Sequence, residues 1–198
     1  MYCILVTGIP AAGESTLACR LADALRLPLL QKDAIKEILF DDLGFRSRAE
    51  KVKLGIASMH IMYHMAERLM ALRQPFILEN NFEDVSRPDL LALLERYGYT
   101  ALTVSLTGDY RQIYERFLQR NVDPSRHRGH VVNGCYPDGG TPQRETAPSY
   151  EQFVEGITKR GMDRFTANGP RIVVDTTSFA GFDFDALTDA IRACLARL

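Results

Sequence analysis

Short apolar runs alternate along this chain with longer stretches whose apolar positions recur every three or four residues. The runs have the length of buried strands, and the stretches have the period of helices with one face against a core. Strands are predicted over Tyr2–Thr7, Leu27–Gln31, Phe76–Leu78 leading into Glu79, the "YTALTVSLTG" run at 99–108 and "RIVVDTT" at 171–177. Between them lie helical patterns: one from the first glycine loop to Leu25, then "KDAIKEILFDDL" stopping at Gly44, then Arg48–Leu72. The last of these carries an apolar stripe of Val52, Ile56, Met59, Met62, Tyr63, Ala66 and Leu69. Further helices are predicted from Ser86, as cap, to a stop at Gly98, over "DYRQIYERFLQRN", over Tyr150–Thr166 and over Phe184–Leu198. Strand and helix in alternation predict an α/β protein, a parallel five-stranded sheet with helices on both faces. Residues 121–149 break the rhythm: rich in Gly, Pro and charge with no sustained period, they predict an extended loop or flexible lid.

Composition narrows the class only a little. With 198 residues, 46% hydrophobic and 25% charged, the chain is expected to form one domain with a substantial core. A formal net charge of -1 gives no bulk electrostatic reason to bind nucleic acid or a membrane surface. No apolar run approaches the roughly 20 residues of a membrane span, and the N-terminus lacks the pattern of a signal peptide. The expected location is the cytoplasm. Cys3, Cys19, Cys135 and Cys194 are scattered without a C-x2-C pair. Three of them lie in apolar strand or helix patterns, where buried free thiols are expected in preference to a zinc site or disulfide.

The chemistry is concentrated in "ILVTGIPAAGESTLACRLADAL", residues 4–25. Gly8, Gly13 and Ser15 satisfy the Gly-x4-Gly-Lys-[Ser/Thr] phosphate-binding loop, the Walker A pattern, except that Glu14 stands where the lysine belongs. Two glycines and a hydroxyl at this spacing arise by chance in roughly one chain in ten of this length, so placement carries the argument. The pattern directly follows an apolar strand and opens an amphipathic helix, where amides from Ala11 through Ala12, Gly13 and Ser15 to Thr16 can converge on phosphate oxygens. Ser15 sits where a hydroxyl would ligate Mg²⁺.

With these residues in view, the chain resembles the small P-loop kinases, kin to zeta-toxin-like, chloramphenicol-phosphotransferase-like and polynucleotide-kinase-like enzymes. The resemblance spans nearly the whole length, through "GIPAAGEST", "LLQKDAIKEIL", "FILENNF", "RFLQRN…RHRGH" and "IVVDTT". It implies a three-layer P-loop NTPase fold with a lid over roughly 116–150. It also implies ATP or GTP with Mg²⁺ as cofactors, and transfer of the γ-phosphate to a hydroxyl of a small molecule. By position, Asp33 matches the carboxylate that accepts the acceptor's proton, although it could equally cap the helix that follows. Glu79 would organise Mg²⁺ or bind the acceptor, and Asn80 and Asn81 would follow it into the crevice. Arg120 and Arg128, and less strongly Arg116 and Arg126, match lid arginines that neutralise the transferring phosphoryl group. His60 is expected to pack or line the acceptor pocket, and Thr177 marks a loop near the nucleobase.

Glu14 complicates this reading. A unit charge pair at about 4 Å is worth on the order of 4 kcal/mol at an effective dielectric near 20, so losing the lysine is costly even if an exposed glutamate rotates away into solvent. A change of one base turns Lys into Glu, and the lysine could have been lost that way. Alternatively the protein is a nucleotide binder with weak or no turnover, or another cation, Lys32 or a lid arginine, takes over the role. A non-catalytic sensor is the rival function, and a polynucleotide 5′-kinase is disfavoured by the lack of a dense basic track.

Overall fold

The computed structural model describes residues 1–137 and 146–198, and part of the expected lid, residues 138–145, lies outside them. The predicted alternation is present: β1 (Tyr2–Gly8), α1 (Glu14–Leu25), β2 (Leu29–Gln31), α2 (Lys32–Leu43), α3 (Arg48–Ala71), β3 (Ile77–Glu79) and α4 (Arg87–Tyr97) come first. They are followed by β4 (Thr100–Thr107), α5 (Tyr110–Val122), α6 (Arg128–Val131), α7 (Tyr150–Arg160), β5 (Arg171–Asp175) and α8 (Phe184–Leu195). The five strands form one parallel sheet in the order β2-β3-β1-β4-β5.

Side chains alternate across the sheet with a period of two, and β1 shows how this builds two cores. Ile4 and Val6 enter the cluster shared with α1, α5, α7 and α8. Cys3 and Leu5 enter the opposite cluster, with Met62, Ala66 and Met70 of α3 and Leu90 and Leu94 of α4. β1 has a neighbour on each side, β3 and β4, so the chain turns both ways from it. A crevice therefore opens beyond the carboxyl ends of β1 and β3, the place where such sheets bind ligands.

Several local expectations are corrected. Only part of the α3 stripe packs into the core: Val52 and Ile56 are 51% and 52% exposed, and both line the crevice. The N-terminal half of this helix is a cavity wall, with Lys51 and Ser58 as its buried positions. Ser86 does not cap α4. It ends a short 3₁₀ turn over Asp84–Ser86, where its hydroxyl accepts from the Glu83 amide and donates to the Glu83 carbonyl. The helix expected to reach Thr166 stops at Arg160, because Gly161 takes a left-handed conformation (φ 72°) packed against Asp84. Of the cysteines placed in apolar patterns only Cys3 is fully buried, while Cys19 is exposed and Cys194 is half-buried. Burial pushes the Cys3 thiol up to about 12.

Within the segment expected as a lid, residues 116–122 belong to α5, and residues 129–136 pack against α2, α3 and Phe45. Val132 joins Phe40 and Phe45 in a small third core, and Tyr136 bridges to Phe45. The Lys51 ammonium, buried in α3, donates to the carbonyls of His130 (3.0 Å) and Val132 (2.7 Å) and to the Asn133 side chain (3.2 Å). Gly129 lies so close to the Phe40 ring that a Cβ there has no room. Among the described residues, no helix is long and apolar enough to cross a membrane.

Candidate functional site

The loop between β1 and α1 has the geometry of an anion cradle. Gly8 is where β4 crowds closest, and a Cβ at this position would lie 2.6 Å from the Leu106 carbonyl oxygen. Ala11 (φ 74°) and Gly13 (φ 99°) both take positive φ, which turns the chain sharply into the first turn of α1. The Ala11 conformation is strained for a residue with a Cβ. Amides at a helix N-terminus following such a turn point towards a bound anion.

The chain's own Glu14 carboxyl already takes one of these amides. Glu14 is not exposed, as the sequence suggested, but only 5% accessible. Its Oε2 accepts from the Gly13 amide at 3.0 Å, and its Oε1 accepts a short hydrogen bond from Asn81 Nδ2. The same Asn81 nitrogen donates to the Gly8 carbonyl at 2.9 Å, so one amide ties both ends of the loop. Burial pushes the Glu14 carboxyl up, opposed by its own and the Gly13 amides, by Arg120 and by Asn81. Ser15 and Thr16 are exposed at the start of α1.

Beside the cradle, Ser15 Oγ donates to Glu79 Oε1 at 3.2 Å, and Gln31 Nε2 donates to Glu79 Oε2 at 3.3 Å. Glu79 is buried, and burial, then Glu14, then Asp33 push its carboxyl up to about 7. Asn80 is buried, and its amide donates to the Val6 carbonyl at 3.2 Å, fixing the end of β3 against β1. A carboxylate this reluctant to ionise beside a hydroxyl fits a divalent cation, which would restore its charge. Among the described residues, no group of three or more His, Cys, Asp or Glu is placed to hold a metal. A cation here would therefore rely on Ser15, Glu79 and oxygens from a bound phosphate.

The crevice itself is large, about 1310 Å³. Asp33, at the start of α2, faces Lys32 (3.8 Å) and Lys36 (4.0 Å). Burial pushes its carboxyl up, but Lys32 and Lys36, with Arg126, outweigh burial and hold it below the usual carboxylate range. It is therefore ionised at neutral pH and able to accept a proton. Across from it, Arg120 and Arg126 also line the cavity. Each has a buried Nε without a hydrogen-bond partner among the described residues. Burial, then the charge of Arg120, lowers Arg126 to about 10.

The structure brings Asp33, Asn80, Asn81, His60, Arg120 and Arg126 to this one cavity. It places Arg128 elsewhere, exposed at the start of α6 and outside the cavity lining. Arg116 turns towards β5: its guanidinium donates to the Thr176 carbonyl and lies 4.8 Å over the Phe179 ring. Thr177 Oγ1 accepts from the Asp109 amide at 2.7 Å, holding the loop after β5 to the loop after β4. Phe179 was not singled out by the sequence. It is 53% exposed and packs over Gly13, where a Cβ would meet the ring at 3.0 Å. Its only signal was an aromatic in a small-residue turn, "TSFAGF". Lys36 was also missed, although it lies one turn after Asp33 on the same helix face.

This fold and this site define a P-loop kinase. Residues 3–134, two thirds of the chain, match the family described as "AAA domain", and the chain belongs to that family and to the P-loop kinase superfamily. It is 26% identical over 136 residues to the "Probable adenylyl-sulfate kinase" of Pyrococcus abyssi, covering 61% of this chain and 72% of that protein. The crystal structure of a "putative kinase" from Chloroflexus aurantiacus superposes with a TM-score of 0.81 and 29% identity, over 98% of this chain and 97% of that one. The Mycobacterium tuberculosis APS kinase, solved with AMPPNP and APS, shares the fold at a TM-score of 0.54 and 16% identity, over 98% and 97% of the two chains.

Proposed function

We propose that this site is built to transfer the γ-phosphoryl group of ATP, or of GTP, to a hydroxyl on a small molecule, and that Glu14 makes the present chain a slow or inactive catalyst. The observation that carries the reading is Asp33. It is an ionised carboxylate at the carboxyl end of the sheet, in the same cavity as two guanidiniums whose buried Nε atoms have no hydrogen-bond partner among the described residues, and next to the phosphate cradle. In-line transfer needs a group within hydrogen-bond reach of the attacking hydroxyl and positive charge around the moving phosphoryl group. Asp33 supplies the first; Arg120 and Arg126 supply the second. Arg116, Thr177 and Phe179 would flank the nucleobase end of the site, and Asn80 and His60 the acceptor end. Ser15 and Glu79 would hold Mg²⁺, which when bound spreads the charge of the β- and γ-phosphates. A kinase that draws on ATP or GTP for a small-molecule acceptor is consistent with a cytoplasmic location.

A second reading, a nucleotide-binding protein without turnover, is favoured by one observation: Glu14, at the sequence position the pattern gives to a lysine, is buried and accepts from the Gly13 amide. Nucleotide affinity and phosphate transfer, measured on this chain and on Glu14→Lys with a panel of hydroxyl compounds, separate the two. Transfer by Glu14→Lys supports the kinase reading. Nucleotide binding by both forms with transfer by neither supports the sensor.

A further inference from the structure

We infer that Glu14 is the resident ligand of the phosphate cradle, clamped there by Asn81, and that an incoming nucleotide must expel this carboxylate to seat its phosphates. This inference rests on the reading of the loop as a nucleotide site.

Four observations support it. The Gly13 amide, a donor expected to face a phosphate oxygen, is spent on Glu14 Oε2 at 3.0 Å. The side chain folds back over the loop, because a Cβ on Gly8 would lie 3.2 Å from Glu14 Cγ. With 5% of its surface accessible, the carboxylate sits inside the loop and not at its rim. The charged groups around it are those a nucleotide would use: Arg116 and Arg120 attract it from α5, and Glu79 repels it from β3.

A site whose competent state is a minor fraction of the population binds more weakly by that fraction. The cradle is competent only when Glu14 is out, so the internal anion and the external one compete. This differs from simple loss of a lysine, which would leave the cradle empty and weaken binding through a missing contact. The two accounts predict opposite results at Asn81. That side chain lines the crevice, so removing it should weaken binding if it merely contacts a ligand. If it holds Glu14 in place, removing it should strengthen binding, since a charge-assisted hydrogen bond then no longer stabilises the closed state.

The test is calorimetry on the full chain with Mg-ATP, and with pyrophosphate as a probe that has no nucleoside. For Glu14→Ala we expect affinity for both probes to rise at least about tenfold over the wild type. Glu14→Gln, which keeps the shape without the charge, falls between them, and Asn81→Ala gains about threefold. The inference is overturned if Glu14→Ala and Asn81→Ala bind no more tightly than the wild type while Glu14→Lys binds well, which leaves the nucleotide reading standing. If folded Glu14→Lys and Glu14→Ala both bind neither probe, the nucleotide reading itself fails, and this inference with it. Hydrogen exchange on the wild type needs no variant. The Gly13 amide should be protected before any ligand is added, and rapid exchange there counts against the clamp.

Discussion

The cradle and the crevice stand side by side at the end of one sheet, yet they handle charge in opposite ways. In the cradle one anion-binding amide is satisfied from within: Gly13 donates to Glu14, and Asn81 donates to the same carboxyl. In the crevice the cationic groups are left unsatisfied: Arg120 and Arg126 each bury an Nε with no partner among the described residues, and the two repel each other. A protein tolerates orphaned, mutually repelling guanidiniums when a ligand supplies the missing charge. In the proposed function the crevice would receive the anion, while the cradle already holds the Glu14 carboxyl. On the proposed reading, phosphoryl transfer needs both regions open at once, and the cradle would be the one that limits it.

Reversing the charge of the cradle should have the largest effect. Glu14→Lys is expected to raise phosphate transfer on the order of a thousandfold, equivalent to about 4 kcal/mol of transition-state stabilisation. Release of nucleoside diphosphate in a coupled assay measures it, and an unchanged rate would mean that the crevice is the limiting region. On that active background, Asp33→Asn should lower transfer about a hundredfold or more while nucleotide affinity stays within about twofold. Parallel losses in rate and affinity would assign Asp33 to binding and not to proton transfer.

The crevice arginines give a smaller, two-sided effect. Arg126→Ala should slow transfer roughly a hundredfold in the same background. The free protein should melt no lower and somewhat higher, because the repulsion with Arg120 is gone. A clear drop in melting temperature would show that Arg126 is structural. The smallest effect concerns pH. Burial pushes His130 down to about 3 from 6.5, so between these values the unfolded chain binds a proton that the folded chain refuses. Stability must then rise with pH across that window and fall as solution is acidified below about 6.5. Chemical denaturation at pH 7 and pH 5 should show this slope flattened in His130→Gln, and an equal slope in both proteins would remove His130 as its source.

Much of this fold could be read from the chain, because the signals are local. The buried runs of β1 and β4, the stops at Gly44 and Gly98 and the strand-loop-helix context of Gly8 and Gly13 each depend on a few adjacent residues. What could not be read depends on distant partners. Glu14 turns inward because Asn81, 67 residues later, offers it an amide. The lid docks because Lys51 and Phe40, on other helices, fit residues 129–132. The α3 stripe misled for another reason: apolar spacing looks the same whether the residues face a core or, like Val52 and Ile56, a cavity. Arg116, Arg120, Arg126 and Arg128 all read as lid arginines, Arg120 and Arg128 more strongly, and only the packing of α5, α6 and the turn between them sorts them.

The Lys51 ammonium has a consequence for what the crevice admits. Its hydrogen bonds to residues 130, 132 and 133 rivet the far side of the gap to α3. Pulling them apart would break three hydrogen bonds from a charged donor, each stronger than a neutral one. The two walls it joins therefore shift as one body, and the width between them is set before any guest arrives. If the proposed transfer holds, the width of that gap would select among alcohols by size before any functional group is recognised.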